Sequence, residues 1–275
     1  MTQRWKIGLP MYQSHPQSQK LYSQFLQYLI IELKQLGFRD AIDIVQIFPQ
    51  NLYEWWLDEN VLFSQTCGYP YITGLKDQVQ LLATPCFNTL GCQGPLYRSA
   101  FITHMQHQWR SLKEAKNTRV VINQHDSNSG LNLLRAEIAQ HNLPKQNFFS
   151  AVYWSGSHLN SLTMIHDQVA DLASIDCISL AYAQKYSPEL FENIRVIHYS
   201  QTTFGLPYIA SKQVTPDIKK ILIQSLYHIL HNHPKLCEEL MIEDFIQAQP
   251  SDYLKILELE QYAHQQNYYE LNTFS

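Results

Sequence analysis

The chain has 275 residues, 45% of them hydrophobic and 16% charged, which is enough apolar material to bury a full core in one large domain or two lobes. Its net charge of -4, with acids and bases interspersed, leaves no basic stripe for a nucleic-acid backbone, and no run nears the roughly 20 apolar residues of a bilayer span. Nucleic-acid binding and membrane insertion are therefore not expected.

The segment Met1 to Tyr12 enters a strand directly, with no apolar export stretch or small-residue cleavage site, so the chain as it stands is expected to be cytoplasmic or to have had a leader removed. Lys6 to Leu9 reads as the first strand. Ser18 to Leu36 carries Leu21, Phe25, Leu29, Leu33 and Leu36 at helical spacing and stops at Gly37. Strands are expected over Asp43 to Phe48, Val61 to Gln65, Gln78 to Pro85 and Ser99 to Thr103, with a short helix over Tyr53 to Asp58 and a loop over Thr66 to Pro70.

From Val120 the pattern restarts: strand Val120 to Asn123, helix Gly130 to His141, strand Phe149 to Tyr153, helix His158 to Val169, strand Leu172 to Ile175, helix Cys177 to Lys185 and strand Ile194 to Tyr199. The extended Phe204 to Ala210 and helices over Pro216 to Asn232, Leu236 to Phe245 and Ser251 to Gln266 follow. Strands alternating with helices imply α/β layering with mostly parallel sheets. A tail read without strands cannot form a lobe, so residues 1–98 and 201–275 are expected to make lobe 1, with lobe 2 inserted as residues 99–200 and joined by two extended crossings. Two such lobes suit hinge closure over a ligand.

Ligands of open α/β sheets gather at the carboxyl ends of strands, so the loops there matter most. Val120 to Arg135 reads as a buried strand, a turn of oxygen-bearing side chains (Asp126, Ser127, Asn128, Ser129) and a helix start whose outward N–H groups and peptide dipoles make an anion site. The plainer reading is a helix cap. Ser155-Gly-Ser157-His158 repeats the theme, with His158 either a first-turn cap or a ligand contact. Tyr69 and Tyr97 suit either packing or ligand donation, and Arg98 is a secondary candidate. Asp176 closes an apolar strand and must find a donor, either backbone amides of the adjoining loop or a protonated ligand group.

Five cysteines, Cys67, Cys86, Cys92, Cys177 and Cys237, make neither a CxxC pair nor a zinc spacing, and their odd number argues against a disulfide framework. Twelve histidines are scattered, and His104 with His107 or His231 with His233 lack a third ligand nearby. No metal and no cofactor is expected.

The ordered set Gln65-Thr-Cys-Gly-Tyr-Pro70, Gly91-Cys-x-Gly-Pro-x-Tyr-Arg-Ser99, Asn128-Ser-Gly-x-Asn132, Ser155-Gly-Ser-His158 and Ala170-Asp-x-Ala-x-Ile-Asp176 resembles the PhnD-like phosphate/phosphonate-binding proteins of ABC importers, from Lys6 to about Tyr208. The resemblance implies the two-lobed type II periplasmic-binding fold, with mixed, mostly parallel sheets flanked by helices and a two-strand hinge. It also implies a small oxyanion ligand and an ABC permease as partner. By that resemblance Tyr69 and Tyr97 are cleft tyrosines, Ser127, Asn128 and Ser129 the helix-start donors, His158 the second-lobe histidine, and Asp176 the acid opposite them. It would place the protein in the periplasm. Two other readings stay open: a cytoplasmic enzyme on the same fold, akin to those of thiamine-precursor synthesis, with Cys67 or Cys92 as nucleophile and His158 as base, and a ligand sensor signalling through its C-terminal helices.

Overall fold

The computed structural model describes residues 3–141, 148–268 and 271; the outermost ends of the expected first-lobe segments lie outside them. The chain forms two compact units. Unit 1 holds the residues through Asn88, Gln93–Leu96 and Phe204–Tyr253, and unit 2 holds Thr89–Cys92, Tyr97–Thr203 and the segment from Leu254.

In chain order, unit 1 begins with β1 (Arg4–Ile7), α1 (Pro16–Gln35), β2 (Ala41–Ile44), α2 (Leu52–Trp56), β3 (Val61–Gln65), the single turn α3 (Gly68–Pro70) and β4 (Val79–Phe87). The start of α1 follows capping chemistry: the His15 side chain accepts from Gln17 N–H, and Pro16, which lacks an N–H, occupies the first turn where none is needed. Leu21, Tyr22, Phe25, Leu26, Leu29 and Leu33 of α1 are buried. The loop expected over Thr66 to Pro70 is helical from Gly68 and widens into a π-turn over Tyr71–Leu75.

The chain leaves unit 1 along β5 (Leu96–Tyr97) and forms β6 (Ser99–His104), β7 (Arg119–Ile122), α4 (Leu133–Gln140), β8 (Ala151–Trp154), α5 (His158–His166), β9 (Leu172–Asp176), α6 (Cys177–Tyr186) and β10 (Ile194–Tyr199). It returns along β11 (Thr203–Phe204), which pairs with β5 as a two-stranded sheet. Unit 1 then gains β12 (Tyr208–Ser211), α7 (Pro216–Asn232), α8 (Pro234–Glu239) and β13 (Ile242–Ile246), and the chain ends with α9 (Leu254–Gln265) in unit 2.

The unit 1 sheet runs β13-β4-β12-β3-β1-β2 and the unit 2 sheet β10-β6-β9-β7-β8. Both are mixed. In unit 1, β1 is parallel to β2 and β3 while β12 and β13 run antiparallel to their neighbours; in unit 2, β7 is parallel to β8 and β9, while β6 is antiparallel to β9 and β10. Antiparallel pairing exceeds what the strand and helix alternation implies, because β6, β10 and β12 adjoin the crossings and β13 returns to the edge of β4.

Two expectations for the tail are corrected. Leu236 to Phe245 was read as one helix, but Met241 takes a left-handed φ of 56° after α8, and Ile242–Ile246 pairs antiparallel with β4. Leu236 and Leu240 lie four apart as a helix face requires, but Phe245 falls on the opposite side of such a helix, and from Ile242 pairing to an open sheet edge takes over. Phe245 instead joins Phe25 and Tyr208 in the aromatic core of unit 1, with ring centroids 6.4 and 6.0 Å away. The second correction concerns α9, expected in lobe 1. Its Leu259 packs on Leu133 and Ala136 of α4, Ala263 joins the unit 2 core, and Ile256 O accepts from Asn132 Nδ2 at 3.0 Å.

Candidate functional site

β7 lies between β9 and β8, and after Ile122 the chain turns into a helix at the carboxyl end of this inner strand. The first turn is wide. The Ser127 carbonyl accepts from both Leu131 N–H (3.2 Å) and Asn132 N–H (3.1 Å), a π-type start over Asn128–Asn132 that narrows into α4. π-turns are rare and concentrate at functional positions. Ser127 caps the turn, its Oγ accepting from Gly130 N–H at 2.9 Å. The N–H groups of Asn128 and Ser129 open the helix, where no intrahelical acceptor exists, and the peptide dipoles make that end attractive to an anion. A Cβ at Gly130 would lie 1.8 Å from Asn123 Oδ1, so a side chain there would have to displace the Asn123 amide.

Ser129 is held from three sides. Its carbonyl accepts from Ser99 Oγ (2.8 Å) on β6 and Ser174 Oγ (2.5 Å) on β9, and its Oγ lies 2.9 Å from His158 Nε2. His158 arrives from the neighbouring parallel strand: Ser155 N–H bonds Ile122 O and Gly156 N–H bonds Asn123 O, both at 2.9 Å, so the two strand-end loops run side by side. Gly156 makes that turn with a left-handed φ of 81°, and Ser157 Oγ caps α5 by accepting from Asn160 N–H at 3.1 Å.

His158 Nδ1 is buried and has no hydrogen-bond partner among the described residues. Burial pushes the imidazole down to about 4, so the ring is neutral at pH 7. The Ser129–His158 contact admits either donor: where the Ser129 hydroxyl donates to Nε2, the ring proton sits on Nδ1 as a buried N–H donor, and where Nε2–H donates, Nδ1 is a buried acceptor. Stability depends on pH with a defined sign. Between the unfolded value near 6.5 and the folded value of about 4 the unfolded chain binds a proton that the folded chain does not, so acidification across that window destabilises the fold, by roughly 3 kcal/mol in full. Denaturant titrations at pH 7 and pH 4.5 should show this loss in the wild type and a smaller one in His158→Asn; equal losses would mean that His158 does not carry it.

Within unit 2 the structure pairs Tyr97 with Asn128 and Ser129 with His158 through short contacts, while Ser127 caps the same turn through Gly130. Asn128 is fully buried, and its side chain is engaged inside the protein. Its Nδ2 donates to Tyr97 OH (2.9 Å) and Thr203 Oγ1 (3.0 Å), and its Oδ1 accepts from Asn132 Nδ2 (3.0 Å). Asn128 and Tyr97 thus brace the helix start, and what Asn128 can offer an anion is its N–H. Asp176 takes the capping alternative, its Oδ1 accepting from Ile178 N–H (2.7 Å) and Ser179 N–H (3.0 Å) at the start of α6. Tyr69 belongs to unit 1, half-buried in α3 after β3, and its place in the site rests on the resemblance alone. Arg98 is exposed.

Sequence reasoning missed Ser99, Ser174, Thr203 and Asn132, which fix the turn. The available signal was hydroxyls within buried strands, at Ser99 and Ser174, where a polar group must find a partner. Cys92 and Cys177 bring their Sγ atoms to 3.5 Å in unit 2, while Cys67 is in unit 1. His158 engages Ser129, not a thiol.

Several solved structures share this fold. PhnD1 from Prochlorococcus marinus in complex with methylphosphonate superposes with a TM-score of 0.78 at 14% identity, covering 96% of this chain and 99% of that one. A binding protein component of an ABC phosphonate transporter from Pseudomonas aeruginosa gives 0.78 at 14% identity, over 97% and 88% of the two chains. A Xanthomonas citri protein bound to ATP gives 0.70 at 13% identity, over 96% and 98%. No curated protein matches the chain by sequence.

Two mixed α/β sheets flanked by helices give the chain the type II periplasmic-binding fold. More particularly, the chain belongs to the family described as ABC transporter, phosphonate, periplasmic substrate-binding protein, whose family model matches residues 7–253. That family is the substrate-binding component of a transporter and not an enzyme, which corrects the enzyme alternative. Its members are periplasmic, and among the described residues no helix is long and apolar enough to cross a membrane.

Proposed function

We propose that this chain binds a phosphonate or related phosphate-like oxyanion at the start of the helix after β7, and delivers it to an ABC permease from the periplasmic side of the membrane. The observation that carries the reading is the Ser129–His158 pair with its unsatisfied, buried Nδ1, set beside the opening N–H groups of Asn128 and Ser129. A tetrahedral oxyanion accepts several hydrogen bonds at once and suits a neutral histidine N–H, its tautomer set by the Ser129 hydroxyl, together with helix-start amides. Family membership supports the ligand class, and two relatives of this fold hold molecules with a phosphorus oxyanion, methylphosphonate in one and ATP in the other.

Calorimetry with methylphosphonate, 2-aminoethylphosphonate, phosphate, phosphite and sulfate tests the reading. Saturable heat with at least one phosphorus oxyanion, stronger than with sulfate, is the expected result. Silence across the series would remove the oxyanion function.

A further inference from the structure

On the opposite end of α4 from the proposed anion site, three metal-ligating side chains meet. Glu137 and His141 are one turn apart on the helix and its C-cap, and His198 comes from β10. Their donor atoms all lie within 4.8 Å of one another. Both imidazoles address the same carboxylate oxygen: His198 Nε2 is 3.2 Å and His141 Nε2 3.8 Å from Glu137 Oε2. The other oxygen, Oε1, accepts from Gln201 N–H at 2.8 Å, which fixes the carboxylate. Phe101 stacks on the His198 ring at 5.7 Å and 6°, which fixes the imidazole plane.

We infer that Glu137, His141 and His198 form a binding site for a divalent transition-metal ion of the zinc type. Zinc takes imidazole nitrogens and carboxylate oxygens at about 2.0–2.2 Å, so tetrahedral donors sit about 3.4 Å apart, and the two glutamate–histidine separations bracket that value. Glu137 is buried while the two histidine side chains are about two-fifths exposed, so the site has an inner anchor, an outer mouth and room for a water as fourth ligand. A buried carboxylate needs positive charge nearby. A dication supplies it with both rings neutral, whereas direct ion pairing needs the rings protonated.

Unit 1 offers a contrast. Buried Glu32 also meets two histidines, but His228 Nδ1 goes to Oε2 (3.1 Å) and His233 Nε2 to Oε1 (3.8 Å), with Asn232 Nδ2 sharing Oε1 at 3.1 Å. There the donors divide between the two oxygens; at Glu137 they converge on one. An ion at Glu137 would tie the end of α4 to the chain running from β10 towards Thr203, a clamp on the helix whose start is the proposed anion site. The metal proposal does not depend on that site's function.

The test is calorimetric titration of Zn²⁺ into tag-free, chelator-treated full-length protein, with Co²⁺ absorption as a second readout. The wild type should bind one equivalent at this site, and Co²⁺ should give visible bands of tetrahedral N/O ligation. His141→Ala, at an exposed helix end, and the double variant His141→Ala/His198→Ala should weaken binding at least tenfold with unchanged circular dichroism. Absence of Zn²⁺ binding by the wild type, or equal binding by the folded His141→Ala and double variants, would overturn the proposal.

Discussion

Replacing His158 with Ala should weaken methylphosphonate binding by about tenfold to a hundredfold. The estimate rests on the loss of one charge-assisted hydrogen bond, about 1.5–3 kcal/mol, at 1.4 kcal/mol per factor of ten. Burial should make the effect larger than removal of an exposed side chain, because water competes poorly for the vacated position. Ser129→Ala should cause a loss of similar size. The Ser129 hydroxyl, 2.9 Å from the ring, sets its tautomer by donating to Nε2 and so presents Nδ1–H to the ligand. Because the two act as a pair, the double variant should lose clearly less than the sum of the single losses, which calorimetry on all three measures directly. Full affinity in His158→Ala would exclude the ring from the site.

A large stability loss is expected at Gly91. Its φ is 98°, in the left-handed region, and an added Cβ would meet Cys177 Cβ at 2.8 Å and Sγ at 3.1 Å. Conformational strain of about 1–2 kcal/mol and overpacking of about 1–3 kcal/mol act together, so Gly91→Ala should lower unfolding free energy by about 2–4 kcal/mol. Gly37 separates the two causes. It has a φ of 97° but nothing within 4 Å of its virtual Cβ, so Gly37→Ala should lose only about 1 kcal/mol. Urea titrations of both variants decide the matter; equal losses would mean that Cys177 yields without cost.

What could be read from the sequence is largely what is local. The strand, capping serine and helix start at Val120 to Arg135, and its echo at Ser155 to His158, depend on neighbours a few residues apart, and the structure has both. The wider, π-type first turn was not legible; the Ser129 carbonyl within it is held by the Ser99 and Ser174 hydroxyls, 30 and 45 residues away. Asn128 illustrates the same limit. Its residue type suits a ligand donor, but Tyr97, Thr203 and Asn132 engage its side chain, and two of those partners belong to distant segments. In the tail, the helical spacing of Leu236 and Leu240 does not extend to Phe245, and the open edge of β4, distant in sequence, makes the last segment a strand. The placement of α9 follows from contacts with α4 that no local pattern encodes. The convergence of Glu137, His141 and His198 was hidden for the same reason: the third ligand lies 61 residues from the first.

The central claim is that the helix start after β7, with His158 beside it, holds the phosphorus oxyanion. A crystal structure of the protein with methylphosphonate tests it most directly. The account predicts phosphonate oxygens within hydrogen-bond distance, about 2.7–3.1 Å, of the Asn128 and Ser129 N–H groups and of His158 Nδ1. Methylphosphonate bound elsewhere in the chain, with those three donors untouched, would contradict it.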